Sequence, residues 1–213
     1  MRAPKSIRSL TDEDMDTIST PGLMVSSSVL AVFSALMENL NGQAFGGFED
    51  PTDIFLGFPE ALGRLRESVT ASKPTLQIHV TSAKHFVVAF WRPESSTVML
   101  LDSLGLRPTK DLRTQLFKCY ELGGPVTVYV PRLQKQDRGS NNCAFFCAAY
   151  MTDVVSYQTD GIAEAIYIDG QEQRKWFCEC LLQATPFMCP RINQRRTRFL
   201  MTNPPLSEFI CSG

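Results

Sequence analysis

Residues 85–91, His-Phe-Val-Val-Ala-Phe-Trp, are apolar almost without interruption and rich in β-branched and aromatic side chains. Successive side chains of a strand point to opposite faces. A strand with no polar alternation is therefore covered on both faces. This run fixes the architecture, because the chain has to place apolar layers above and below one strand. The turn Arg92-Pro93-Glu94-Ser95-Ser96 follows, then a second apolar strand over 97–101 that Asp102-Ser103 closes. The two strands read as a hairpin with a slightly long loop.

The surrounding pattern supplies the layers. Residues 9–18 read as a short helix with Thr11 as cap and Asp14 completing a weak capping box; Pro21-Gly22 ends it. A second helix begins at Ser26-Ser27-Ser28, carries a wide apolar face through Leu40 and stops at Asn41-Gly42. Residues 46–59 read as loop and 60–68 as a further short helix. Residues 76–80 alternate like a strand. Residues 109–120 have helical spacing and 125–130 form another apolar strand. Two more helices cover about 143–155 and 169–183. The order predicts an α+β fold, a small mixed central sheet with helices on both sides. We expect a single domain over 1–213, with a core of about 10–190 and a basic C-terminal tail of about 191–213, whose stretch from Arg191 to Arg198, with arginines at 191, 195, 196 and 198, reads as solvated.

Bulk properties exclude several classes. The formal net charge is −1, so no overall field draws the chain to nucleic acid or to an acidic membrane surface. Its apolar runs fall short of the ~20 residues of a membrane span, and the N-terminus lacks an apolar signal core. Seven cysteines, an odd number in a chain large enough to bury its own core, predict reduced thiols and an intracellular setting, cytoplasm or nucleus. Cys178-Glu179-Cys180 has one intervening residue rather than the spacing of a zinc knuckle, and only His79 and His85 exist to complete a metal site.

Chemistry concentrates in residues 136–147, Gln-Asp-Arg-Gly-Ser-Asn-Asn-Cys-Ala-Phe-Phe-Cys. A polar loop runs into an apolar helix, with Cys143 at the junction. Ser140, Asn141 or Asn142 can cap the first turn, and Cys143 sits at the positive end of the helix dipole. Thiols in such positions ionise more readily than free ones, and the thiolate is the nucleophile. The competing reading is a buried small hydrophobe, which also describes Cys147 one turn deeper. Nucleophilic use requires a base and a group that orients it. His79 lies inside an alternating strand and reads as a core histidine. His85 opens the most apolar strand at a sheet rim. Asp102 ends the partner strand, and in an antiparallel hairpin the start of one strand lies beside the end of the next. Hairpin geometry thus brings a carboxylate to an imidazole across 17 positions of sequence (102 − 85). Gln136, seven positions before Cys143 (143 − 136), can aim its amide at a developing oxyanion beside the Cys143 backbone N–H, or it can be a solvated loop residue.

The order His85-Phe86, Leu101-Asp102-Ser103, Gln136 and Cys143 resembles the ubiquitin-like-protein protease superfamily, the SUMO and NEDD8 proteases together with the adenoviral protease. The seven-residue gap and the sequence Ala89-Phe90-Trp91-Arg92-Pro93 are more similar to the adenoviral enzyme. Leu10 to Asp14, the helix beginning at Ser26, and Arg174-Lys175-Trp176 through Thr185-Pro186-Phe187 extend the likeness over roughly residues 10–190. The resemblance implies a papain-like cysteine protease architecture. It also implies a His85–Asp102–Cys143 triad with Gln136 as oxyanion donor and a substrate side formed by Phe86, Trp91, Asn142 and Ala144, and it implies no cofactor. The implied partner is a protein, either a ubiquitin-like conjugate or a viral or mobile-element polyprotein. Three positions depart from the usual pattern: Phe86 stands where the family has Trp, Ala144 where it has Gly, and Asn142 where Asp is common. Two alternatives stay open: a non-catalytic binding module on the same fold, and an acetyltransferase, for which no coenzyme A signature is present.

Overall fold

The computed structural model describes residues 10–137, 139–157, 165–168, 170–192 and 207–211. A six-stranded mixed sheet runs in sequence order, β1 (Gly46–Gly47), β2 (Thr75–Val80), β3 (Phe86–Arg92), β4 (Thr97–Leu101), β5 (Val126–Val130) and β6 (Ser207–Cys211). The β1–β2 and β4–β5 pairs are parallel and the remaining pairs antiparallel. The helices are α1 (Asp12–Ser19), α2 (Ser27–Asn41), α3 (Pro51–Leu56), α4 (Pro59–Thr70), α5 (Lys110–Tyr120), α6 (Cys143–Tyr157) and α7 (Gln171–Leu182).

β3 is covered on both faces, as its composition requires. Phe86, Val88 and Phe90 enter one cluster with α2, α6 and α7, which supply Phe33, Phe145, Phe146 and Phe177. Val87, Ala89 and Trp91 enter a second cluster with Leu65 and Val69 of α4 and Leu112, Leu116 and Tyr120 of α5. The two apolar layers sandwich the sheet, so the strand order leaves β3 and β4 central and their ends at a protected rim.

Local chemistry sets the helix starts. Thr11 accepts from the Asp14 N–H at 3.1 Å while the Asp14 carboxylate accepts from the Thr11 N–H, a complete capping box. Ser26 accepts from the Val29 N–H at 3.3 Å and donates to Asp14 at 2.7 Å, which ties the caps of α1 and α2 together. Pro51 and Pro59 occupy first-turn positions of α3 and α4, where the missing N–H breaks no helical bond.

Two readings of the sequence are corrected. Residues 46–59 are not simply loop: they hold β1 and α3. A two-residue strand and a six-residue helix are too short to show a period. Gly47 is required there, because φ is +89° and an added Cβ would lie 2.1 Å from the Leu76 carbonyl oxygen. The tail is not wholly solvated either. β6 pairs with β5 from Val126–Cys211 to Val130–Ser207, and Cys211 is 2% exposed beside Ile210 at 63%, the alternation of an edge strand. Arg191, expected in the solvated tail, forms an ion pair with the buried Asp153 at 2.6 Å. The arginines at 195, 196 and 198 lie outside the described residues. Among the described residues no helix is long and apolar enough to cross a membrane.

Candidate active site

The site assembles at the rim where β3 begins and β4 ends. A tight turn between β2 and β3 fixes the backbone of His85: its carbonyl accepts from the Thr81 N–H at 2.9 Å, and its N–H donates to the Thr81 hydroxyl at 3.2 Å. The β3–β4 register pairs Val88 with Leu101, which leaves Asp102 just past one strand end and His85 just before the other. There the two side chains meet, His85 Nε2 lying 2.6 Å from Asp102 Oδ1.

Asp102 is held as an acceptor from three sides. Its carboxylate also receives the N–H groups of Leu104 at 2.8 Å and Leu106 at 2.9 Å. Burial pushes the Asp102 carboxyl up, but the His85 ring and these two N–H groups outweigh it and hold the group below its ordinary value. Burial pushes the His85 imidazole down. The hydrogen bonds to Asp102 and Cys143, with the carboxylate charge beside the ring, reverse that and raise it to about 9. Nε2 is engaged with Asp102, and Cys143, the first residue of α6, also acts on the ring.

Cys143 is brought there by the helix start. The Asn142 carbonyl accepts from the N–H groups of Phe145 at 3.0 Å and Phe146 at 3.1 Å, which begins the helix one residue before the thiol. Cys143 is 4% exposed. Cys147, one turn on, lies in the core, and burial pushes its thiol well above the ordinary value. His79 is fully buried against Gln115 and Tyr120, and burial lowers its imidazole to about 4, as befits a core histidine.

Gln136 is tied down by three hydrogen bonds. Its backbone N–H donates to the Ser103 carbonyl at 2.9 Å and its Oε1 accepts from the Ser103 hydroxyl at 2.7 Å. Its Nε2 donates to the Ser140 carbonyl at 2.7 Å. A carbonyl only accepts, so the Ser140 contact identifies the amide nitrogen, which keeps a second N–H. Ser103 reads from sequence only as a turn residue beside Asp102; tertiary folding makes it the clamp on Gln136.

The residues expected on the substrate side separate. Phe86 is 3% exposed and packs in the first cluster directly beyond His85. Ala144 is 1% exposed on the inner side of α6, and Asn142, at 6%, turns its side chain toward Arg174. Trp91 is a correction. It stands at the far end of β3 from His85, on the opposite face from α6, stacked on Tyr120 with ring centroids 6.2 Å apart. The alternation of the strand sends residue 91 away from the face that carries Cys143.

No protein-family model and no curated protein sequence matches the chain. Solved structures do match in fold. The SUMO protease Ulp1 with its catalytic cysteine oxidized to a sulfinic acid matches at 14% identity and TM-score 0.60, over 85% of this chain and 89% of that one. The Chaetomium thermophilum Ulp1-like SUMO protease catalytic domain matches at 16% identity and TM-score 0.57, over 85% and 82%. The C-terminal Ulp1 protease domain in complex with Smt3, the yeast ortholog of SUMO, matches at 14% and TM-score 0.54, over 82% and 83%. The α+β fold of this chain, a mixed sheet between helical layers, is that of Ulp1-like SUMO protease catalytic domains.

Proposed function

We propose that this chain is a cysteine peptidase or isopeptidase acting on a protein substrate. The observation that carries the reading is the 2.6 Å bond between His85 Nε2 and Asp102 at the sheet rim, where Cys143 opens α6 close enough to perturb the same imidazole. In this reading His85 holds the proton of the Cys143–His85 pair as an imidazolium, and the Cys143 sulfur attacks a carbonyl carbon as a thiolate. Asp102 holds the ring in register and balances the imidazolium. The side-chain N–H of Gln136 and the backbone N–H of Cys143 stabilise the oxyanion. Collapse of the tetrahedral species breaks the C–N bond, and the proton on His85 passes to the leaving amine. Water, deprotonated by the same ring, then cleaves the thioester and restores the thiol.

A ubiquitin-like protein is one substrate class, supported by the likeness to the Ulp1 domain that binds Smt3. A viral or mobile-element polyprotein is the other, supported by Phe86 in place of the usual Trp and by the seven-residue step from Gln136 to Cys143. Gly-Gly-tailed SUMO, NEDD8 and ubiquitin reporters separate them: rapid turnover of any one assigns a deconjugase. The reading as a whole is tested by an electrophilic thiol probe. Wild type is expected to label once, at Cys143, and Cys143→Ala to lose both labelling and cleavage. Undiminished labelling of Cys143→Ala at another cysteine would remove Cys143 from the nucleophile position.

A further inference from the structure

Arg174 lies on α7, 31 positions after Cys143 (174 − 143), and is 2% exposed. Its guanidinium donates to the carbonyls of Thr17 at 2.8 Å, Ile18 at 3.3 Å and Leu23 at 2.7 Å, and to Asn142 Oδ1 at 3.3 Å. Its carbon also sits 4.6 Å from the centroid of the Phe145 ring. Thr17 and Ile18 belong to the last turn of α1, whose carbonyls lack helical partners and carry the negative end of the helix dipole. A cation there is well placed. Asn142 is the residue whose carbonyl starts α6 immediately before the thiol. Asn141 repeats the link, its side-chain amide donating to the Gly22 carbonyl at 2.7 Å.

We infer that Arg174 is a positioning residue for the nucleophile: it fastens residues 17–23 and the Asn142–Phe145 start of α6 into one body, and so fixes where Cys143 stands relative to His85. The inference rests on the cysteine-peptidase reading for its catalytic sense. The physical reason is geometric. A small rotation at Asn142 tilts the first turn of α6, moving both the Cys143 sulfur and the backbone N–H aimed at the oxyanion. Misplacement by about 1 Å is enough to slow such chemistry about a hundredfold. Two nitrogens of the planar guanidinium divide these acceptors between them, whereas an ammonium gathers its three donors at one point on a flexible stem, so Arg174→Lys is expected not to restore the link.

The experiment compares wild type, Arg174→Met, Arg174→Lys and Asn142→Ala over residues 1–213 by amide hydrogen exchange and by the rate of labelling with the electrophilic probe. Arg174→Met removes bonds to a charged donor, each of which holds a local opening down by about tenfold or more. Exchange over residues 17–25 and 139–146 is therefore expected to rise together by about tenfold in Arg174→Met, with β3 unchanged. Asn142→Ala is expected to raise exchange in 139–146 alone. Labelling in both variants is expected to slow by about tenfold at a temperature well below unfolding. Exchange in 139–146 equal to wild type in Arg174→Met overturns the inference. If Arg174→Met fails to fold, Asn142→Ala decides, and unchanged exchange with unchanged labelling overturns it. Wild type that ignores the probe refutes the peptidase reading and the catalytic sense of Arg174 with it. Wild type that reacts, with variants reacting equally fast, refutes the role of Arg174 alone.

Discussion

The clamp between Ser103 and Gln136 gives a prediction whose size follows from the geometry. The Gln136 amide plane is set by two side-chain bonds, one to the Ser103 hydroxyl and one to the Ser140 carbonyl, both 2.7 Å long. Ser103→Ala removes the first and leaves Oε1 of a residue only 7% exposed without that donor. A bond of this kind is worth about 1 kcal/mol net, and an orphaned buried acceptor up to about 3 kcal/mol. If the amide relieves that by rotating, its second N–H leaves the oxyanion position proposed for it, where such a donor contributes about 3 kcal/mol. The variant is therefore expected to lose about fivefold to tenfold in kcat with KM little changed. Gln136→Ala is expected to lose about a hundredfold. Single-turnover cleavage of a reporter amide reads both values, and the midpoint of thermal unfolding, expected to fall by about 2–4 °C for Ser103→Ala, is recorded in parallel. The double variant is expected to be no slower than Gln136→Ala alone, since the hydroxyl acts through the amide. Full kcat in Ser103→Ala with a lowered unfolding midpoint would show the bond to be structural only. Full kcat in Gln136→Ala would remove the oxyanion donor from the mechanism.

Two further outcomes follow from the His85–Asp102 pair. Asp102→Asn puts an amide where the carboxylate now accepts from His85, Leu104 and Leu106, so at least one donor faces another donor. Cleavage is expected to fall by roughly 10³–10⁴-fold with the domain still folded, and an unchanged rate would exclude Asp102 from the site. The same pair gives stability a pH signature. His85 is raised from 6.5 to about 9 in the folded chain, so its contribution is fully present below 6.5 and is lost as pH rises through about 9. Asp102 is lowered, so its contribution is present above its ordinary value and is lost as pH falls through the folded one. Urea midpoints measured between pH of about 6 and about 10 are expected to decline on the alkaline side in wild type. They should decline less in His85→Gln; identical slopes in the two proteins would refute the assignment.

Much of the fold is legible in the chain because its causes are local. The capping box of Thr11 and Asp14, the Ser26 cap and the unbroken apolar run of β3 all act within a few residues, and each produced the element its pattern announces. β1, α3 and β6 were not legible. They are short and take their order from partners far away in sequence, β2 for Gly46-Gly47 and β5 for residues 207–211.

The candidate site divides along the same line. By itself the sequence determined that a thiol opens an apolar helix, and that one hairpin presents a histidine beside an aspartate. Both consequences follow from chain geometry over a single supersecondary unit. Only the tertiary structure decided what holds these groups in place. It sends Trp91 to the opposite face, because strand alternation is read against whichever layer covers each side. It turns Ser103 into the partner of Gln136 across 33 positions, and it carries Arg174 from the last helix to the carbonyls of the first and to Asn142. A hydroxyl or a guanidinium has no pattern of its own along the chain. Its function comes from the acceptors that packing brings within 3 Å or so, and those acceptors are backbone and side-chain oxygens that no spacing rule locates.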